Sequence, residues 1–367
     1  MQVTGLSSSF AAYAPVIPAR VGIHLSDFTA TLNSLLFPSL NSPLAIALSG
    51  GADSMALALL ADDFVRTRGG HIVTLTVDHG LRPESRAEAE QVAAWMAARG
   101  IAHHILTPPH LDHHKNMQES ARTRRYDALA DWCRAHDVLH CLLAHHAGDQ
   151  AETVALMRAR GDTADGASGM SALRNYRGVR FLRPLLGFEK EDLKKYLHAH
   201  AMTWVEDPSN QNPKFARVRM RGNLSANATE RAALLTTARV EGEARTARDN
   251  ALAEAAARLV VFHPTGRAEL PIDSWRALPP ALASQLIADL LTTIGGHTHR
   301  PRAHETVRLC AALHQAPSLR RTLHRCLLTV KGGVLSITRE PAHAHECFAP
   351  AKPLAAAPFW WLNDRDT

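Results

Sequence analysis

Through the first half of this chain, continuous apolar runs alternate with stretches of helical periodicity. Leu44-Ala45-Ile46-Ala47-Leu48 reads as a strand buried on both faces. A short Ser/Gly-rich turn follows it, and then a helix beginning near Met55 and running to about Arg68. The rhythm repeats with a strand over His71 to Asp78, a helix from about Ser85 to Ala98 behind Pro83, and a short strand from Ile101 to Leu106. After a Pro/His-rich loop come a helix over Met117 to His136, a strand over Val138 to Ala144, and a helix from about Asp149 to Arg160. Such alternation predicts an α/β fold: right-handed crossovers building a parallel sheet with helices on both faces. Ligands then belong at the carboxyl ends of the strands.

The texture changes beyond Arg221. Thr229 to about Val261 is Ala/Arg/Glu-rich at helical spacing, which predicts one long helix or two that meet near Gly242. Further helices are expected over Pro279 to Leu291 and His304 to His314. Arg321 to Val330, Gly332-Gly333 and Val334 to Thr338 read as a β-hairpin, so the C-terminal region is expected to be mostly helical with one hairpin. Trp204 and Val205 read as a strand re-entering the core, with the tryptophan structural. Asn227-Ala-Thr fits a glycosylation pattern but reads better as a helix cap.

Composition narrows the class. The balance of 41 Lys and Arg against 35 Asp and Glu gives a formal charge of +6, compatible with a polyanionic partner. Five cysteines without a Cys-x-x-Cys pair suggest neither a zinc ribbon, an iron–sulfur cluster nor a disulfide framework. No apolar run approaches membrane-spanning length, and the first 24 residues lack the pattern of a signal peptide, so a cytoplasmic protein with no membrane partner is expected. The histidines at 103, 104, 110, 113 and 114 lack a carboxylate or cysteine framework and are read as a surface loop rather than a metal site.

Chemistry concentrates at three strand ends. Ser49-Gly50-Gly51-Ala52-Asp53-Ser54 joins a buried strand to a helix, the setting of a phosphate loop. Its hydroxyls add donors, and Asp53 makes sense as a ligand for a phosphate-bridging Mg²⁺. No Gly-Lys-Ser/Thr follows, so this is not a Walker A loop. Asp78-His79 ends the second strand. At the third end Asp149 and Glu152 stand three apart on the first turn of a helix, able to hold Mg²⁺ or act as base and orienter, or else to form a capping box. Arg122, Arg124 and Arg125 cluster in one segment; Arg217, Arg219 and Arg221 alternate in another, read as extended, where they would form one stripe.

The loop resembles that of the ATP pyrophosphatase (PP-loop) superfamily, whose fold is adenine nucleotide alpha-hydrolase-like. The ordered series that follows resembles the bacterial tRNA(Ile)-lysidine synthases: Val77 to Arg82, Gln118 to Arg122 with Arg125-Tyr126, Leu143 to Thr153, Arg160-Gly161 to Met170, Arg183 to Leu186, and Glu206 to Asn210 with Phe215, Arg217, Arg219 and Arg221. It covers about residues 43 to 221 and departs from the family pattern at Gly148, where an aspartate is usual, and at Asp162-Thr163, where Ser-Gly is usual. The resemblance implies ATP-dependent ligation of free L-lysine to C2 of the wobble cytidine of CAU-anticodon isoleucine tRNA, through an adenylated base. It implies ATP and Mg²⁺ as cofactors. Catalytic roles fall on Asp53, Arg122, Arg125, Asp149 and Glu152. ATP contacts fall on Ser49, Gly50, Gly51, Ala52, Asp53, Ser54, Asp78 and His79, metal contacts on Asp53 and Asp149, and tRNA contacts on Arg217, Arg219 and Arg221. The implied layout is an N-terminal extension (1–27), a PP-loop catalytic domain (28–222), a helical linker (223–262), a C-terminal tRNA-binding domain (263–345) and a tail (346–367). A homodimer stays open. The alternatives are a tRNA thiolation enzyme of the same superfamily and a catalytically silent tRNA-binding homologue, which the glycine at 148 keeps in view.

Overall fold

The computed structural model describes residues 25–36, 43–78, 80, 84–108, 117–161, 164–206, 216–297 and 299–340. They divide into two compact units, with the boundary after Arg245. In the first unit the elements run α1 (Leu25–Leu35), β1 (Leu44–Ala47), α2 (Ala52–Arg66), β2 (Ile72–Val77), α3 (Ser85–Ala97), β3 (Ala102–Leu106), α4 (Met117–Ala135) and β4 (His140–Leu142). Then follow α5 (Ala147–Ala159), α6 (Ala164–Ala167), β5 (Leu173–Tyr176), β6 (Val179–Leu182), α7 (Lys190–Ala199), α8 (Ala216–Ala226) and α9 (Ala228–Leu259), whose residues from Thr246 on belong to the second unit. The expected α/β sheet is present, in the order β3-β2-β1-β4-β6-β5. All neighbours are parallel except the hairpin partners β5 and β6.

Why the sheet is buried on both sides is visible in β1. Leu44 and Ile46 join one apolar cluster with Phe28, Leu57, Leu60 and Phe64, whereas Ala45 joins another with Tyr126, Leu129 and Cys133. Alternate residues point to opposite faces, so a run with no polar position feeds two cores. The strand order reverses at β1, whose neighbours are β2 and β4. Such a switch point opens a crevice at the carboxyl ends, which here lies between the loop after β1 and the start of α5 after β4.

Local differences from the sequence reading have physical causes. Trp204 and Val205 form no strand. They pack on the core, and the Val205 N–H donates to the Gly50 carbonyl at 2.9 Å. The segment carrying Arg217, Arg219 and Arg221 is helical, as α8, so residues two apart diverge by about 200° around the axis and form no stripe. Helix α9 is a single 32-residue helix that passes through Gly242. Asn227 caps it: its Oδ1 accepts the Glu230 N–H at 3.1 Å.

The second unit adds β7 (Val261–Phe262), β8 (Ala268–Pro271), α10 (Ile272–Arg276), α11 (Pro280–Gly295), α12 (Ala303–Gln315), β9 (Leu319–Leu323), β10 (Cys326–Lys331) and β11 (Val334–Arg339). The expected strand over 321–330 is broken. His324 and Arg325 both take left-handed conformations, φ 55° and 56°, and turn the chain between β9 and β10. Two-residue hairpin turns require this conformation, and neither residue is the Gly or Asn that advertises it. The hairpin is therefore part of a five-stranded antiparallel sheet, β7-β8-β11-β10-β9. Among the described residues no helix is long and apolar enough to cross a membrane.

Trp275 is the largest fully buried side chain of this unit, and its indole N–H donates to the Ala283 carbonyl at 3.1 Å. Trp275→Ala should destabilise the unit by about 3–5 kcal/mol. Amide hydrogen exchange in α11 and β8 to β11 should accelerate accordingly, and unchanged protection there would contradict this packing.

Candidate active site

The loop after β1 is tied from several directions. Ser54 sits within the first turn of α2, where its Oγ donates to the Gly51 carbonyl at 2.9 Å and accepts the Ser49 N–H at 3.2 Å. The two serine hydroxyls lie 3.1 Å apart. Thr76 from β2 donates its hydroxyl to the Leu48 carbonyl at 2.7 Å, fixing the strand end. Gly50 has φ +82°, and a β-carbon there would meet Val92 at 2.7 Å, so both backbone conformation and space require glycine. The unpaired N–H groups at the start of α2 face outward with its positive dipole end, an anion site by construction.

Asp53 lies in the first turn of α2 with a side chain 27 % exposed. Its Oδ2 is 3.7 Å from His146 Nε2 and 3.7 Å from Lys190 Nζ, whereas Oδ1 is buried without a hydrogen-bond partner. An orphaned carboxylate oxygen fits a cation ligand. His146 is buried and forms the N-cap of α5. Its Nδ1 accepts the Gly148 N–H at 2.9 Å, and its own backbone N–H donates to Asp149 Oδ2 at 3.0 Å. With Nδ1 an acceptor, the neutral ring carries its proton on Nε2. That nitrogen also lies 3.7 Å from Asp149 Oδ2, so one ring edge faces both carboxylates.

The capping box therefore sits three residues earlier than the Asp149–Glu152 spacing suggested, with His146 as cap and Asp149 as its partner. Glu152 is free of capping duty and 2 % exposed. It is held by Arg221, whose Nε donates to Oε1 at 2.6 Å and whose Nη2 donates to Oε2 at 3.4 Å. The same guanidinium reaches within 4.0 Å of Asp149 Oδ1. Burial alone would raise the Asp149 pKa, but His146, His145, the His146 N–H and Arg221 outweigh it and hold this carboxyl below its usual range. Arg221 is driven upward, first by its hydrogen bond to Glu152.

Asp53, Asp149 and Glu152 are thus brought together, as expected, and Arg221 joins them rather than standing in a tRNA-facing stripe. Arg219 is exposed on α8, and the Arg217 side chain lies outside the described residues. Asp78 is buried at the end of β2 and accepts the Gly80 N–H at 2.9 Å; His79 lies outside the described residues. Arg122 and Arg125 are exposed on α4, Arg122 with its guanidinium 5.4 Å from the Tyr126 ring. From sequence, His145 and His146 at their strand end fit either a role near ATP or packing and strand-end hydrogen bonding, and Lys190 was not singled out. The strand-end position of His146 was a signal, but Lys190 is 137 positions from Asp53 and nothing local marks it. Among the described residues no cluster of three or more His, Cys, Asp or Glu could hold a metal.

Residues 24–228 match the model of the PP-loop domain family. The tRNA(Ile)-lysidine synthase of Hyphomonas neptunium is 36 % identical to this chain, covering 85 % of each. That of Methylobacterium nodulans is 34 % identical over 86 % of this chain and 95 % of its own length. The chain belongs to the tRNA(Ile)-lysidine synthase family. The tRNA(Ile)-lysidine synthase of Wolbachia sp. subsp. Brugia malayi is 33 % identical over 89 % of this chain and 77 % of its own. Among solved structures, a U34-tRNA thiolase of Methanococcus maripaludis is similar in fold, with a TM-score of 0.50 at 16 % identity, covering 59 % of this chain and 78 % of that one. In this lysidine synthase family member the matched PP-loop domain contains every residue of the Asp53–His146–Asp149–Glu152–Arg221 group.

Removing Arg221 and leaving the buried Glu152 carboxylate alone should cost more than removing both charges. Arg221→Gln is expected to destabilise the fold by roughly 1–3 kcal/mol, and Arg221→Gln with Glu152→Gln by less; equal losses in denaturant titrations would contradict the pairing. Because the Asp149 pKa is lowered on folding, its stabilisation is present above the ordinary carboxylate pKa and lost as pH falls through the folded value. Below about pH 4 the wild type should therefore lose stability more steeply than Asp149→Asn.

Proposed function

We infer that this ATP-dependent ligase joins free L-lysine to C2 of the wobble cytidine in CAU-anticodon isoleucine tRNA. The observation that carries the assignment of chemistry to residues is the convergence of Asp53 and Asp149 on one edge of His146, where the strand order reverses. In the first step the C2 oxygen of the base attacks the α-phosphorus of ATP and pyrophosphate leaves. Backbone N–H groups of Gly50 to Ser54 bind that pyrophosphate, and Lys190, 3.7 Å from Asp53, adds a compact positive charge. Asp53 and Asp149 would hold Mg²⁺, which would supply charge neutralisation as pyrophosphate departs. Arg122 and Arg125 are assigned to the α-phosphate and the departing AMP, which their planar donor geometry suits. In the second step the lysine ε-amine attacks C2, the C2–O bond breaks and AMP leaves with that oxygen. Asp149 and Glu152 orient the amine and take the proton it must lose, with Arg221 holding Glu152 in place.

Arg219, exposed on α8, and the C-terminal unit are assigned to tRNA phosphates, and the protein to the cytoplasm. A sulfur-relay reading finds no support among the described cysteines. Cys133, Cys141, Cys310 and Cys326 are all buried. The hydrogen bond with Cys133 and burial raise the Cys141 thiol well above its ordinary range, away from the reactive thiolate.

AMP release in the presence of ATP and Mg²⁺ should require both tRNA and lysine. Asp53→Ala should lower it by about 10²–10³-fold, the usual cost of a lost electrostatic contact in the transition state, with the fold retained. The Asp149→Ala and Glu152→Ala losses should be far from multiplicative, because residues acting as one unit are non-additive. AMP release that ignores lysine, or normal turnover by folded Asp53→Ala, would sink the assignment.

A further inference from the structure

Gln150 stands between Asp149 and Glu152 at the start of α5 and is buried. Its side-chain amide pairs with the backbone of a single residue, Met170: Nε2 donates to the Met170 carbonyl at 3.1 Å, and Oε1 accepts the Met170 N–H at 2.7 Å. Both bonds are buried, and they join segments 20 positions apart in the chain. Gly169 makes the approach possible. Its φ is +61°, and a β-carbon there would meet Gln150 Cδ and Oε1, each at 2.8 Å.

The segment that receives Gln150 is itself held. Ser168 is fully buried, and Arg245 Nη1 from α9 donates to Ser168 Oγ at 2.6 Å and to the Gly169 carbonyl at 3.0 Å. From the end of β6, Arg183 Nη1 donates to the Ser171 carbonyl. Residues 168–171 thus form a strut braced by a helix and a strand. The apolar packing at the start of α5 is less specific. Its buried apolar side chains there are Ala147 and Ala151, whose shallow ridges oppose rotation about the helix axis only weakly.

We propose that Gln150 is a positioning residue for lysine transfer: its paired hydrogen bonds to Met170 set the rotation of the first turn of α5, and with it the places of Asp149 and Glu152. Side-chain atoms lie about 5–6 Å from a helix axis, so a rotation of about 10° carries a carboxylate about 1 Å. A displacement of that size can cost about 10²-fold in rate. The inference rests on the reading of Asp149 and Glu152 as the groups that orient the amine and take its proton.

The test follows lysine-dependent AMP release by the full chain with ATP, Mg²⁺ and CAU-anticodon tRNA. Gln150→Met keeps the bulk of the side chain and removes both hydrogen bonds. Its kcat should fall by about 10–100-fold, with little change in the KM for ATP. Thr74→Val is the stability control, because it removes another buried bond, from Thr74 Oγ1 to the Ala102 carbonyl at 3.0 Å between β2 and β3. It should lower the melting temperature as Gln150→Met does and keep kcat near the wild-type value. Gly169→Ala should also lower kcat, since its β-carbon displaces the amide, but should cost little further in a Gln150→Ala background. The backbone strain of alanine at this φ is common to both backgrounds. Wild-type kcat in folded Gln150→Met, an equal kcat loss in Thr74→Val, or multiplicative losses for Gly169→Ala and Gln150→Ala would overturn the proposal. Normal turnover by both Asp149→Asn and Glu152→Gln would overturn the carboxylate reading and the proposal with it, a result distinguishable from full activity in the Gln150 variants alone.

Discussion

Three carboxylates gathered at the edge of an apolar sheet must be compensated, and the first unit is organised around doing so. Glu152 is 2 % exposed, and an unpaired charge so deep would shift its protonation or destabilise the fold. Arg221 meets this need from α8, 69 positions away in the chain. Asp149 accepts the His146 backbone N–H and lies 4.0 Å from Arg221, and Asp53 meets Lys190 at 3.7 Å on one oxygen only. The other oxygen of Asp53 is left buried and unpartnered, which supports the proposed reading of the cluster as a cation site.

The scaffold explains why these groups meet. Reversal of strand order at β1 places the loop before α2 next to the start of α5, so two helix N-termini open on one crevice. Hydrogen bonds from Ser49, Ser54 and Thr76 fix the loop on the strand side, and the Val205 N–H holds it through the Gly50 carbonyl. Few of these restraints involve the reacting groups themselves. The loop is set before a ligand arrives, which is what electrostatic stabilisation of a departing pyrophosphate requires.

Much of this was legible in the sequence because it is local. Leu44 to Leu48 followed by Ser49 to Ser54 announces a buried strand and an anion loop, and the ordered motifs identify the family before any coordinates. What stayed hidden depends on distance or on competition between local rules. Alternating arginines at 217, 219 and 221 fit an extended stripe as well as a helix, and only the burial of Glu152 decides where Arg221 points. The Asp149–Glu152 spacing fits a capping box, but His146 takes the cap and releases Glu152 to its ion pair. The turn at His324 and Arg325 lacks the residues that mark such turns, so β9 and β10 read as one strand. Lys190 reaches Asp53 only because the fold brings the start of α7 to the phosphate loop.

The most direct measurement is mass analysis of nucleosides from CAU-anticodon isoleucine tRNA after incubation with the protein, ATP, Mg²⁺ and L-lysine. Conversion of the wobble cytidine to a nucleoside heavier by one lysine less one water, dependent on ATP and on lysine, is the expected result. An unmodified cytidine, or a sulfur-containing nucleoside in its place, would contradict the lysine ligase.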